Sequence, residues 1–236
     1  MKKILKTEEY ATLEKPVGKS VIKDITENQI YIEDYDPLNG VEYVDLGLPS
    51  KKLWAKCNLG ADIEEESGLY FQWGDTQGYT KEQIGNPKKF NWANYKWSVD
   101  GSSSNFSKYN SSDSKTVLDL EDDAVYAALG GNWRMPTVDD WRELDEHTSK
   151  EWTQINGVNG YKLTASNGNY IFLPAAGFGN GSSLVYEGSN GYVWSSSLYS
   201  VGSSSAFNCR FGIGGFLGPD GYYRYYGFSV RGIAHL

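Results

Sequence analysis

The sequence predicts an α+β domain of two helices and short antiparallel strands, preceded by a small N-terminal appendage, and three observations carry that expectation. The first is composition. With 236 residues, 39% apolar and 15% aromatic, against 2 Met and 7 Pro, the chain has material for one large ordered core. The second is asymmetry. Residues 1–162 hold 19 Lys+Arg and 28 Asp+Glu, whereas residues 163–236 hold three Arg, two acids and no Lys. From Gly157 onward lie 16 of the 27 glycines, interleaved with Ser, Tyr and Phe, which suits strands and turns. The third is a pair of helix signals in the middle of the chain.

Taken in order, residues 1–40 form the appendage. They are charged, carry one alternating run at Gln29-Ile30-Tyr31-Ile32-Glu33, and close on the turn residues Tyr35-Asp36-Pro37-Leu38-Asn39-Gly40, so one or two strands are expected. The domain then runs 41–236. Val41-Glu42-Tyr43-Val44-Asp45-Leu46 alternates like a half-buried strand, and Leu53 to Leu59 is a second. Residues 98–115, rich in Ser and Asn, read as an exposed loop. Leu118 to Leu129 places Leu118, Val125 and Leu129 on one helical face and stops at Gly130-Gly131. The second helix starts at Thr137 as N-cap with Asp140 three residues on, a capping box with Asp in place of Glu. Its Val138, Trp141 and Leu144 share one face, so it packs rather than reacts.

These residues also carry a family resemblance. Asn132-Trp133-Arg134-Met135-Pro136-Thr137-Val138-Asp139-Asp140-Trp141-Arg142-Glu143-Leu144 resembles the helix entry of proteins with the C-type lectin fold of the formylglycine-generating-enzyme type. Tyr43 to Ser50, Leu53 to Asn58, Tyr70 to Asp75, Ile171 to Gly177, Tyr192 to Ser197 and Gly227 to Arg231 resemble a paralogous domain common in Bacteroidetes proteins and their phages. The resemblance implies a C-type lectin fold from about Val41 to Ile233. It also implies the role of a variable protein of a diversity-generating retroelement, in which a reverse transcriptase rewrites adenines near the 3′ end of the gene. Asn codons rewritten in that way cannot become Lys, Glu, Gln, Met or Trp. From Ser195 to Arg231 none of these five occurs, and four charged residues stand where the chain's 22% share would give about eight.

On that resemblance the variable region spans about 195–231. Trp194, the serines 195–197, Ala206, Cys209, Phe211, Pro219, Arg224 and Gly227 to Arg231 are its expected framework. Leu198, Tyr199, Phe207, Asn208, Arg210, Gly212, Gly214, Leu217, Asp220, Gly221, Tyr222, Tyr223, Tyr225 and Tyr226 are its expected ligand-binding positions. The residues point the same way without the genetics. Tyr222-Tyr223-Arg224-Tyr225-Tyr226 packs four phenols into five residues, more polar tips than a buried strand can satisfy. Tyr mixed with Ser, Gly and Asn is also the composition of antibody paratopes. The alternative is a strand pair whose tyrosines lie over the sheet edge with wet hydroxyls.

Other chemistry finds little support. Cys209 lacks the second late cysteine that formylglycine-generating enzymes use, and the calcium loops of sugar-binding lectins are absent. Cys57 and Cys209 read as small buried hydrophobes, with a bridge between them left open. Glu64-Glu65-Glu66 reads as a solvated acidic run, Glu121, Asp122 and Asp123 as partners of a helix dipole, and His147 as a helix C-terminal residue. No motif for catalysis, a metal or a cofactor is recognised, so no enzyme activity, metal or cofactor is expected.

A net charge of −8 argues against nucleic acid. No run reaches membrane-span length, and no apolar signal segment follows Lys2-Lys3. The expectation is a recognition protein made in the cytoplasm and carried on a virion as a phage tail component, with cell-surface display as an adhesin less favoured. Its partner would be a protein or glycan on a bacterial or host surface, with residues 1–40 docking it onto a larger assembly. An enzyme of the formylglycine-generating superfamily and a structural spacer are the alternatives.

Overall fold

The computed structural model describes residues 3–6, 21–26, 29–33, 37–85 and 89–235. Strand accounts for 41% and helix for 13%, spread over five small antiparallel sheets. This overturns the expected α+β class and C-type lectin fold: the described chain is mostly β, with two α-helices of six and ten residues. The physical reason is visible at the first helix. Over Leu118 to Leu129 the chain makes a 3-10 turn at Leu120–Asp122, and Asp123 then caps a separate helix α1, Ala124–Leu129. Its carboxylate accepts from the Val125 and Tyr126 N–H groups at 2.9 and 3.0 Å, and such a cap starts a helix where it stands.

The second helix, α2, spans Val138–His147 and starts as the sequence predicts. Asp140 accepts from the Thr137 N–H at 2.8 Å and its hydroxyl at 2.7 Å, and Lys52 adds an ion pair. Trp141 and Leu144 are buried.

In the appendage, β1 (Lys3–Lys6), β2 (Val21–Thr26) and β3 (Gln29–Glu33) form a sheet in the order β1-β3-β2, three strands where one or two are expected. Tyr35 and Asp36 of the expected closing turn, and Met1, Lys2 and residues 7–20, lie outside the described residues. Next come β4 (Tyr43–Asp45), β5 (Leu53–Asn58) and β6 (Trp133–Arg134), and the last strand, β15 (Arg231–Ala234), inserts between β5 and β6. Arg231 fixes that closure. It is fully buried without a carboxylate, and donates to Asn58 Oδ1 and to the carbonyls of Ala55, Lys56 and Phe172 at 2.5 to 3.0 Å. Burial pulls its pKa down to about 10.

A hairpin-based sheet follows from β7 (Thr148–Ile155), β8 (Val158–Ala165) and β9 (Tyr170–Pro174), then a two-stranded sheet from β10 (Phe178–Asn180) and β11 (Ser183–Val185). The central element is the sheet of β12 (Asn190–Leu198), β13 (Ser205–Gly212) and β14 (Gly215–Tyr223). Its two faces serve different cores, because side chains alternate across a strand. Tyr192, Trp194, Leu198 and Ala206 pack with Trp73, Tyr109, Trp133 and Phe228. Val193, Cys209 and Phe211 pack with Trp54, Trp141, Leu144 and Leu163. Among the described residues no helix is long and apolar enough to cross a membrane.

Candidate ligand-binding face

The tyrosine run lies at the end of β14 and in the turn after it. Register on β13 sets which side chains share a face: Ala206 pairs with Tyr222, Asn208 with Asp220, and Tyr192 of β12 with Arg210. From that face, through the end of β14 and the turn after it, the rings form a connected strip. Tyr192 and Tyr222 are 5.4 Å apart, Tyr222 and Tyr226 6.2 Å, Tyr226 and Tyr225 4.5 Å, and Tyr225 and Tyr223 5.9 Å. Trp92 closes one end, 4.9 Å from Tyr225 and 5.8 Å from Tyr223. Phe178 closes the other, 4.9 Å from Tyr226 and 6.0 Å from Tyr186. Edge-on, tilted and, for Tyr223 on Tyr225, stacked contacts of this kind favour rings beyond their area burial. Tyr223 and Tyr186 are the most open members, at 46% and 58% exposure, while Tyr222, Tyr225 and Tyr226 are half-buried. Tyr186 sits at φ 61°, an uncommon conformation for a bulky residue, with its carbonyl held by Ser189 and Asn190.

The hydroxyls crowd one another. Burial, and then the neighbouring Tyr222 phenol, push Tyr192 up to about 12 while Arg210 opposes. Burial and the Tyr226 hydroxyl raise Tyr225 likewise. Arg210 lies 5.9 Å from the Tyr192 ring and 5.8 Å from that of Tyr222, and 3.7 Å from Asp220.

Arg224, between the tyrosines in sequence, turns inward. It is fully buried, 3.8 Å above the Phe106 ring, and donates to the Ser203 carbonyl. Its own carbonyl accepts from the Trp73 N–H at 2.9 Å.

Of the fourteen expected positions, Arg210, Asp220, Tyr222, Tyr223, Tyr225 and Tyr226 come together here. Tyr199 and Phe207 form a separate ring pair at 4.9 Å under Arg142 of α2; Phe207 has the opposite parity to Arg210 on β13, so that pair lies on the other face. Gly221 is beneath it, where an added Cβ would meet the Tyr199 ring at 2.4 Å. Gly214 is exposed in the β13–β14 turn, and Leu217 lies on β14 with its side chain outside the described set. Leu198, Asn208 and Gly212 are buried, which corrects their expected exposure: Leu198 belongs to the core, and Asn208 donates to the Asp220 carbonyl at 2.8 Å. Sequence reasoning missed Trp92, Phe178, Tyr186 and Tyr192. Three of these come from segments remote from the run, and nothing local marks them.

The other chemical groups resolve into structural roles. Asp119, Glu121 and Asp122 converge within 4.8 Å, and the Lys108 ammonium stands among them at 2.7, 2.8 and 2.5 Å. Asp123 caps α1 as a dipole partner would, whereas Glu121 and Asp122 hold Lys108. Of the 64–66 run, Glu65 is buried rather than solvated and accepts from Asn156 at 2.6 Å. His147 is exposed at the end of α2. Both cysteines are free. Burial pushes the Cys209 thiol far up, and also raises Cys57, which lines a cleft of about 320 Å³ with Val41, Leu59 and Gly232 that shares no residue with the tyrosine strip.

Comparison with protein-family models, curated proteins and solved structures finds no match.

Proposed function

We propose that this chain is a recognition protein that docks a protein or glycan of a bacterial or host cell surface through the tyrosine strip, and that the strip's positions within 195–231 are diversified as in a retroelement variable protein. The observation that carries the reading is the strip itself: the four rings of residues 222–226, resting on the buried Tyr192 and Phe178 and bounded by Trp92, with Tyr223 and Tyr186 open to solvent. Tyrosine gives large amphipathic contact area at low side-chain entropy, and clustered aromatics with an arginine are the composition of binding hot spots. The missing Lys, Glu, Gln, Met and Trp between Ser195 and Arg231 support the genetic half of the reading. Carriage on a phage particle, with the β1-β3-β2 sheet as the attachment point, completes the proposal.

The test is retention of the full chain on a panel of intact bacterial cells. Tyr223→Ala and Tyr186→Ala each abolish retention while leaving the melting temperature nearly unchanged, because neither ring is buried. Retention unaffected by both substitutions overturns the docking face. Sequencing the neighbouring DNA tests the diversification: a reverse-transcriptase gene beside a near-identical repeat of the 195–231 coding stretch supports it, and their absence removes it.

A further inference from the structure

Six Asn-Gly pairs occur in the chain, beginning at Asn39, Asn156, Asn159, Asn167, Asn180 and Asn190. In water such a pair can react with itself, since glycine has no Cβ to shield its backbone nitrogen from the asparagine amide carbon before it. The fold shelters five of them. Gly160 and Gly191 are buried within β8 and β12. Gly168 donates its N–H to the Ala165 carbonyl at 3.0 Å, and Gly181 to the Phe90 carbonyl at 2.7 Å. Asn39 is half-buried, with its amide on the Leu129 carbonyl at 2.5 Å. Asn156 differs from all of these. With Gly157 it forms the two-residue turn between β7 and β8, at φ 48° and 85°. Both residues are exposed, and the Gly157 N–H meets no acceptor among the described residues. A Cβ added at Gly157 would touch nothing within 4 Å. An exposed hairpin tip also opens locally at little cost, which gives the two groups freedom to meet.

The Asn156 amide has a structural task as well. It donates to Glu65 Oε1 at 2.6 Å, and Glu65 is buried in the loop that follows β5. Among the described residues this is the one hydrogen bond that the Glu65 carboxylate accepts. It ties the loop to the hairpin tip, and it exists because one partner is an acid and the other an amide.

We propose that Asn156 is a site of spontaneous deamidation, and that the carboxylate formed there repels Glu65 and releases the loop from the hairpin tip. The Gly157 nitrogen gives its proton to solvent base and bonds to Asn156 Cγ. The Cγ–Nδ2 bond breaks, and Nδ2 leaves as ammonia with a proton taken from water. Water then opens the cyclic imide at either carbonyl, leaving aspartate or its β-linked isomer. Nothing is oxidised or reduced, and water is the co-reactant. The ionised product has no proton to donate, so a hydrogen bond gives way to two facing carboxylates, which disfavours the folded arrangement. The inference is independent of the docking face.

The experiment ages the full chain in mildly alkaline buffer, once folded and once in urea, and follows each Asn-Gly peptide by mass spectrometry. All six pairs should react in urea, whereas in the folded chain Asn156 should react several-fold faster than the other five. Asn156→Asp, which supplies the product directly, should lower the urea midpoint and speed proteolytic cutting within residues 59–68. Adding Glu65→Gln to Asn156→Asp exchanges acid and amide and should restore both. Reaction of any other pair ahead of Asn156 in the folded chain overturns the inference, as does survival of all six there while the urea sample reacts. A midpoint for Asn156→Asp equal to the parent's, or one that Glu65→Gln does not recover, overturns the release of the loop.

Discussion

Trp141 and Trp194 are both fully buried, but they are held differently. Trp194 stacks on Phe228 at 4.1 Å and donates its indole N–H to the Phe71 carbonyl at 2.8 Å. Trp141 tilts against Trp54 at 5.0 Å, and its indole nitrogen meets no acceptor. Replacing either by Ala leaves a cavity and should cost about 3–5 kcal/mol in urea denaturation. Trp194→Phe should cost about 1 kcal/mol more than Trp141→Phe, the net worth of one hydrogen bond. A reversed order would show that ring volume alone decides. The cysteines offer a second reading at this scale. Since the thiolate is the nucleophile and burial raises both thiols, Cys57 should react slowly with a disulfide reagent at neutral pH and Cys209 only after unfolding. Rapid titration of two thiols in the native chain would contradict the packing around Cys209.

The loop of residues 98–115 is tied down by charge. Lys108 bridges Asp119, Glu121 and Asp122, and Tyr109 donates its hydroxyl to Asp122 at 2.7 Å. Lys108 and then Lys115 hold the Asp119 carboxyl below its ordinary 3.8. Burial pushes Asp122 up, yet bonds from Lys108, Tyr109 and Lys96 outweigh it and hold it below 3.8 as well. A carboxyl lowered by folding stabilises fully above its ordinary value, and that contribution is lost as pH falls through the folded value. The urea midpoint of the native chain should therefore fall between about pH 6 and about pH 2.5. Lys108→Met leaves three carboxylates facing one another, so it should be weaker at neutral pH and lose less, or gain, on acidification. Asp123, which burial raises, pulls the opposite way in both chains alike and drops out of the difference. Parallel pH curves for the two chains would show that the network contributes nothing. At this scale the sequence is legible where the signal is local. The capping box at Thr137 and Asp140 places the start of α2 to the residue, and the glycine-rich tail reads correctly as strands. The first helix is overextended because Leu118, Val125 and Leu129 fit a helical face, while Asp123 prefers the cap and breaks the run. Burial of Arg224 and Arg231 is invisible, since an arginine reads as surface until its oxygen partners are brought in from β5, β9 and the 199–204 turn.

For the molecule as a whole, the β12-β13-β14 sheet lies between two cores and also supports the candidate site, so a change along it acts on packing or on recognition according to depth: Asn208 and Arg210 share one face of β13, yet only Arg210 reaches solvent. Sequence alone located the tyrosine run but merged both faces and the core into one surface, because the pleat and the register that separate them are tertiary facts. A diversified surface must vary without unfolding its support, which gives the separation a measurable consequence. Arg210, Asp220, Tyr223 and Tyr225 are half-buried or exposed, whereas Leu198 and Asn208 are sealed. Side chains added at Gly212 and Gly221 would meet Asn190 and the Tyr199 ring at 2.5 and 2.4 Å. Two libraries displayed on yeast and sorted by protease resistance test this. Randomising Arg210, Asp220, Tyr223 and Tyr225 should leave more members resistant, because these side chains reach solvent and their replacement opens no sealed core position. Randomising Leu198, Asn208, Gly212 and Gly221 should leave few, because a sealed polar group without its bond and a blocked backbone approach each cost about 1–3 kcal/mol. Equal survival of the two libraries would mean that the sheet does not divide recognition from support, and the tyrosine strip would lose its standing as a separable face.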